Sequence, residues 1–265
     1  MEQRSKLDGR VAIVTGAGSS GPGLGTGKAI SVLFAREGAK VVLVDKFEDR
    51  ADETLRLIED EGGSATVVIA DLAEVASCQH VVDQAVDRYG GVDILVNNAA
   101  IASSTSIVDT TPELYHQVIA VNLTAPFMLS KAAIPVMIER GGGAIVNITS
   151  IAALRGQGGA GSTAYAASKA GLIGLMVDLA DAYGKKGIRV NCIAPGIINT
   201  PMRAAAMRQA GVDPAQIDLS FRTSLGIEGD AWDVARAALF LAGPDGRYLT
   251  GVLLPVDGGT TARSH

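Results

Sequence analysis

Seven short runs rich in Val, Ile, Leu and Ala alternate with longer amphipathic stretches, and this alternation restricts the fold more than any other feature of the chain. The runs are Val11–Thr15, Lys40–Asp45, 65–70, Ile94–Asn97, 144–148, 190–194 and 252–256. They are almost continuously apolar, as parallel strands covered on both faces require. The stretches between them, 28–37, 50–61, 74–89, Pro112–Glu139, Thr163–Gly184 and 230–242, read as helices. Asp230 suits an N-cap, and Gly38 suits a stop just past a helix end. The pattern predicts an α/β fold, a doubly wound parallel sheet of about seven strands with helices on both faces. No Pro/Ser-rich linker or break in composition divides the 265 residues, so a single domain over 1–265 is expected. The segment 200–227 is polar and lacks a strand pattern. It reads as a substrate cap, or as a surface helix pair with no gating role.

Composition narrows the function classes. The net charge is -5 with no basic stripe, which argues against nucleic acid and anionic membrane as partners. No uninterrupted apolar run approaches the roughly 18 residues of a membrane span. Residues 1–10 are polar and mixed in charge, so no signal peptide is expected. Cys78 and Cys192 stand far apart and form no Cys-x-x-Cys pair, which suits a reducing, cytoplasmic setting. His80, His116 and His265 are scattered, and no metal site is expected. Asn122 with Thr124 and Asn147 with Thr149 match a glycosylation pattern, but both asparagines fall in segments expected to be buried.

The first strand runs into a glycine-rich loop, residues 16–27, with a helix behind it. Glycines there let the backbone turn sharply and approach a pyrophosphate, while the helix N-terminus offers free N–H groups. An ATP-type loop fails on two positions. Pro22 stands where its first glycine belongs, and Ala29 follows Lys28 in place of Ser or Thr. Asp45 ends the second strand, where a carboxylate accepts hydrogen bonds from ribose hydroxyls and repels a 2′-phosphate. NAD is favoured over NADP on this ground, with Lys28 and Lys46 keeping NADP open.

Tyr165 and Lys169 lie four residues apart at the start of a helix, on one face. An ammonium beside a phenol is expected to lower the phenol's pKa, normally near 10, and so to make Tyr165 a general acid/base. Ser150 follows the fifth strand at the ligand-binding edge of such sheets, where its hydroxyl can donate to a substrate oxygen. Asn122 precedes Pro126 by four residues within one long predicted helix. Its carbonyl therefore lacks an intrahelical donor and is free for a water linked to the lysine, unless Pro126 simply kinks the helix.

Taken together, these residues resemble the short-chain dehydrogenase/reductase family over nearly the whole chain. The matching pieces are Thr15 and Gly16 with the glycine loop, Asp45, Asp71 with Leu72, and Asn97 through Ala99. Asn122, Ser150, Tyr165 and Lys169 follow, then Pro195 with Gly196, Thr200 with Pro201, and Asp257 with two glycines. The resemblance implies a Rossmann-type fold and hydride transfer between NAD(H) and a secondary alcohol or ketone, with Asn122, Ser150, Tyr165 and Lys169 as the catalytic set. The implied cofactor contacts are Gly16, Ser19, Gly25, Thr26 and Gly27 in the loop, and Asp45 at the ribose. Asp71 and Leu72 would meet the adenine, and Asn98 and Ala99 lie at the sheet edge. Tyr165 and Lys169 are counted here too, the lysine on the nicotinamide ribose, with Pro195, Gly196, Ile198 and Thr200 near the carboxamide. It also implies a homo-oligomer, dimer or tetramer, with the fourth and fifth helices at an interface. An NADPH-dependent 3-oxoacyl reductase shares these motifs, and Asp45 argues against it. A non-catalytic dinucleotide-binding regulator would have a broken catalytic set, and here all four residues are present.

The chain departs from the family pattern at three places. Gly16, Gly25 and Gly27 as the loop trio leave five extra residues, including Pro22; Gly16, Gly21 and Gly23 would leave an odd turn before the helix. Ala100 stands where glycine is usual. Ser150 and Tyr165 are two residues further apart than is common. Ile101, Ser103, Ile151, Arg155, Gln157, Ile197, Met202 and Arg203 are candidates to line the substrate pocket. Arg155 and Arg203 would meet an anionic or hydroxylated substrate, or else lie at the surface or an interface.

Overall fold

Each apolar run does form a strand: β1 (Val11–Thr15), β2 (Lys40–Asp45), β3 (Ser64–Ile69), β4 (Ile94–Asn97), β5 (Gly143–Ile148), β6 (Ile188–Pro195) and β7 (Leu253–Val256). The structure is a computed structural model that describes residues 5–103, 105–156, 162–209 and 211–263. The strands make one parallel sheet in the order β3-β2-β1-β4-β5-β6-β7. The order in which successive strands are added reverses between β1 and β4, and the crevice at such a switch point is where these sheets take ligands.

Successive side chains on a strand point to opposite faces. Ala12 and Val14 enter one core with Val41, Leu43 and Val96, beneath Ile30, Phe34, Val234 and Leu239. Val11 and Ile13 enter the other with Val42, Leu95 and Ile145, beneath Val81, Leu129 and Met176. Two covered faces explain why the runs are continuous rather than alternating.

The helices are α1 (Thr26–Arg36), α2 (Glu48–Asp60), α3 (Val75–Tyr89), α4 (Pro112–Ile119), α5 (Ala125–Glu139), α6 (Thr163–Gly184), α7 (Pro201–Gln209) and α8 (Ala231–Ala242). Helices α1 and α2 each begin two residues earlier than expected, and β6 is longer at both ends. Asp230 caps α8 in a reciprocal box with Asp233. Gly38 follows α1 at φ +85, which releases the chain from the helix.

The stretch Pro112–Glu139 is not one regular helix. Ala120–Thr124 forms a π turn, with the Ala125 amide donating to the Ala120 carbonyl. Pro126 has no amide to give Asn122, and the widened turn absorbs that loss. By length and composition this stretch is apolar enough to cross a membrane. In the fold, Leu129, Ala133 and Met137 are buried against the sheet. Between 200 and 227 the described residues form α7 and two 3-10 turns, Pro214–Gln216 and Ser220–Arg222, and no strand.

Candidate active site

Helix α1 starts one residue past Gly25, which is extended. The first intrahelical bond runs from Ala29 to the Gly25 carbonyl at 3.0 Å, so the amides of Thr26, Gly27 and Lys28 precede it. Close approach fixes the glycine trio. A Cβ on Gly27 would stand 2.0 Å from the Gly16 carbonyl oxygen, and one on Gly16 would stand 2.9 Å from the Ala99 Cα. Gly16 itself sits at φ +62. Ser19 closes the loop by accepting from the Gly25 amide at 2.8 Å. The trio is therefore Gly16, Gly25 and Gly27. Gly21 and Gly23 belong to the inserted part, which reaches Pro201 at the start of α7: Cβ atoms placed on them would lie 3.8 and 3.7 Å from that ring.

The end of β4 is tied to this loop. Thr15 Oγ1 accepts from the amides of Asn98 and Ala99 at 2.9 and 3.0 Å, and Asn98 Nδ2 donates to the carbonyls of Thr15 and Gly16 at 2.9 and 3.1 Å. Asp45 has both carboxylate oxygens on backbone amides, Gly18 at 2.9 Å and Phe47 at 3.1 Å. Beside it, the Arg50 guanidinium lies over the Phe47 ring, 3.9 Å from its centroid. Sequence reasoning missed Arg50, because nothing in its spacing marks a cation that folds back on the preceding turn. Both lysines that kept NADP open are engaged by acids. Lys28 is buried and meets Glu53 at 2.7 Å, and Lys46 meets Asp71 at 2.6 Å. The Lys46 ammonium and the Ala73 amide hold the Asp71 carboxyl below its usual pKa. Leu72 next to it is buried.

Ser150 stands just past β5, and Tyr165 in the first turn of α6. Thr149 Oγ1 donates to the Lys169 carbonyl at 2.7 Å and binds these two elements together. Ser150 Oγ accepts from the Ala152 amide at 3.1 Å and lies near enough to the Tyr165 phenol to favour its ionised form. Lys169 is buried, donates through Nζ to the Ile148 carbonyl at 2.7 Å, and stands 5.7 Å from the centre of the Tyr165 ring. Asn122 is wholly buried. Its Oδ1 accepts from the Ile101 amide at 2.9 Å, and its Nδ2 donates to the Ile101 carbonyl at 3.0 Å and to Ser168 Oγ at 3.2 Å. Ser168 in turn donates to the Tyr165 carbonyl at 2.7 Å. The structure thus brings Asn122, Ser150, Tyr165 and Lys169 together. Ser168, one turn past Tyr165, is the link that sequence reasoning overlooked.

The expected acidic phenol is corrected. Burial pushes Tyr165 above its ordinary pKa, and the neighbouring Ser150 hydroxyl only partly offsets this. Burial also pulls Lys169 down to about 8, while Cys192 beside it on β6 acts the other way. The ammonium is held on a backbone carbonyl rather than on the phenol oxygen, and desolvation disfavours charge on both groups.

At the far side, the Gly196 amide donates to Val256 at 2.9 Å, and a Cβ there would meet Asp257 at 2.5 Å. Pro195 ends β6, Ile198 is buried and bridges to Gly229, and Thr200 precedes α7. Arg203 makes a two-pronged pair with Glu228 at 2.7 and 2.8 Å, and Arg155 donates to the Thr260 carbonyl. Both arginines therefore have internal partners. Ile151 and Ser103 are buried, Ile101 and Ile197 half-buried, and Met202 exposed; Gln157 lies outside the described residues. A cavity of about 240 Å³ lies against α7, lined by Arg203, Met207, Ile217 and Glu228 among others.

Residues 22–261 match a family model described as enoyl-(acyl carrier protein) reductase. A 3-oxoacyl-(acyl-carrier-protein) reductase of Thermotoga maritima is 37% identical, over 96% of this chain and 98% of that protein. The solved structure of a Burkholderia xenovorans chain described as a short-chain dehydrogenase/reductase superposes with TM-score 0.91 at 41% identity, covering 98% of this chain and 100% of that one. A Beutenbergia cavernae structure described as an NAD(P)-dependent gluconate 5-dehydrogenase with bound NADP gives TM-score 0.88 at 35% identity, covering 98% and 100%. The chain belongs to the short-chain dehydrogenase/reductase family. It is a nicotinamide-dependent oxidoreductase that acts on CH–OH groups.

Proposed function

We propose that the protein transfers a hydride between NAD(H) and a secondary alcohol or ketone, with Tyr165 as general acid/base. The observation that carries this reading is the convergence of one set of side chains: the Lys169 ammonium 5.7 Å from the centre of the Tyr165 ring, Thr149 tying the end of β5 beside Ser150 to Lys169, and Asn122 reaching the Tyr165 carbonyl through Ser168. The glycine loop supports a dinucleotide, because Gly16 and Gly27 let the turn pack closer to itself and to the end of β4 than any Cβ allows, which sets the first amides of α1 at the loop. Gly16, Ser19, Gly25, Thr26 and Gly27 would face the phosphates, Asp45 the ribose, and Asp71 with Leu72 the adenine. Asn98, Ala99, Lys169, Pro195, Gly196, Ile198 and Thr200 would line the nicotinamide end. Bound there, the oxidised nicotinamide supplies the hydride acceptor.

Ser150 then donates a hydrogen bond to the substrate oxygen and orients it. Tyr165 takes the hydroxyl proton in oxidation and returns it in reduction. Asn122 holds the first turn of α6 through Ser168 and so holds the phenol in place. Tyr165→Phe is expected to lower turnover by about 10²–10⁴-fold while cofactor affinity stays near wild type, measured by steady-state kinetics and by fluorescence titration of NADH. Wild-type turnover in that variant would refute the role.

A second reading, NADPH-dependent reduction of a 3-oxoacyl group, is favoured by Arg50 on the Phe47 ring, a cation beside Asp45 with no acid partner among the described residues. The relative described as a 3-oxoacyl reductase and the neighbour with bound NADP support it as well. The ratio of kcat/KM for the two cofactors separates the readings. With NAD as the cofactor, Asp45→Ala shifts that ratio toward NADP by about tenfold or more, because one like-charge repulsion is removed. The homo-oligomer expected from the family remains part of this proposal.

A further inference from the structure

The edge of the sheet opposite the glycine loop carries a cavity of about 360 Å³, where β1, β5 and β6 begin. It is lined by Lys6, Arg10, Arg140, Arg189 and Arg247, against one carboxylate, Asp93. This density of positive charge stands out on a chain of net charge -5. Part of it is accounted for locally. Asp93 is 3% exposed and takes Arg140 at 2.9 Å and Arg10 at 3.1 Å. Burial alone would raise the Asp93 carboxyl's pKa, yet hydrogen bonds from Arg140 and the Val11 amide hold it below the usual range. Lys6 meets Asp245 at 2.6 Å. Arg189 donates to the carbonyls of Ala242 and Gly246, each at 3.0 Å, and so caps the end of α8.

Glu37 also takes the Lys6 amide at 2.9 Å, and against the five cations Asp93, Asp245 and Glu37 leave an excess of two positive charges around the cavity. A helix C-terminus offers only about half a negative charge, so the α8 end does not neutralise Arg189. Arg247 is exposed and has no acid partner among the described residues. The rim at Gly141 carries no side chain and opens onto free space. Guanidinium groups are planar forks matched to phosphate and carboxylate oxygens, and the volume lies in the range of small-molecule sites. β5 alone is six residues long, so roughly 20 Å of strand separates this cavity from Ser150.

We propose that this cavity is a second ligand site, for a small multivalent anion of the phosphate or pyrophosphate class, separate from the catalytic crevice. Bound phosphate oxygens would take Arg247 and the exposed faces of Arg10 and Arg140, and would complete the charge balance around Asp93.

The test is calorimetric titration of the full chain with inorganic pyrophosphate, and separately with orthophosphate, at fixed ionic strength and with saturating NADH. The dinucleotide occupies the glycine loop, so heat from that loop does not enter. Wild type is expected to bind pyrophosphate with Kd below ~1 mM, and Arg247→Glu to weaken it at least about tenfold with basal turnover unchanged. Arg10→Gln should weaken it in the same direction, and it keeps the test valid if Arg247→Glu does not fold. Tighter binding of pyrophosphate than of orthophosphate identifies a diphosphate ligand, and equal binding a monophosphate one. No saturable heat up to ~10 mM pyrophosphate, or the same Kd in wild type and both variants, overturns the proposal.

Discussion

Lys169 is the residue whose surroundings conflict most with its charge. It is buried on the Ile148 carbonyl with its pKa drawn down to about 8, against 10.5 when unfolded. Between these values the unfolded chain holds the proton more tightly than the folded one, so stability gains as pH rises through this window. Cys78 and Cys192 act oppositely above pH 9, because burial pushes them up to about 11 and about 12. Lys169→Met removes the lysine contribution, leaves that of Cys78, and pushes the Cys192 thiol further up because the neighbouring ammonium that favours its thiolate is gone. Wild type is therefore expected to gain stability relative to Lys169→Met between pH 8 and 10, by at most about 1.4 kcal/mol per pH unit, in denaturant titrations without cofactor. A flat difference would show that the folded protein keeps this ammonium fully charged. The identities of Ser150, Tyr165 and Lys169 are legible in the sequence, because strand end and helix start dictate where they sit. The upward push on the phenol is not, since it depends on how much water the folded pocket excludes.

Among the elements, the turn from β1 into α1 has the least tolerance. A methyl on Gly27 would overlap the Gly16 carbonyl at 2.0 Å and crowd Asn98 Nδ2 at 2.5 Å, both parts of the network that sets the loop. Gly27→Ala is expected to cost about 1–3 kcal/mol of stability and to weaken dinucleotide binding more than tenfold, read by thermal melts and NADH titration. Unchanged NADH affinity would mean that the loop does not form the cradle. Strand positions are readable because both sheet faces are buried and the apolar runs are unbroken. The cap of α8 is readable from Asp230 alone. The π turn at Ala120–Thr124 is readable only as a defect: Pro126 announces a missing donor, but the widened turn that answers it, with buried Asn122 held on Ile101 and Ser168, is set by tertiary contacts. The loop trio is ambiguous in sequence for a similar reason, since only close approach to Gly16 distinguishes Gly27 from Gly23.

At the scale of the whole molecule, distant parts of the chain meet around one crevice. β1 leads into the loop, the ends of β5 and α6 bring Ser150, Tyr165 and Lys169, and the segment after β6 would supply the cover. The inserted glycines face Pro201 across a gap that a single Cβ would close, so the strip that would wrap the pyrophosphate lies next to the helix that would roof the alcohol. Two ligands held by adjoining parts do not come and go independently. Steady-state kinetics are therefore expected to be ordered, with the dinucleotide binding first and leaving last. NADH should inhibit competitively against NAD and noncompetitively against the alcohol, and a version lacking residues 20–24 should drift toward random order.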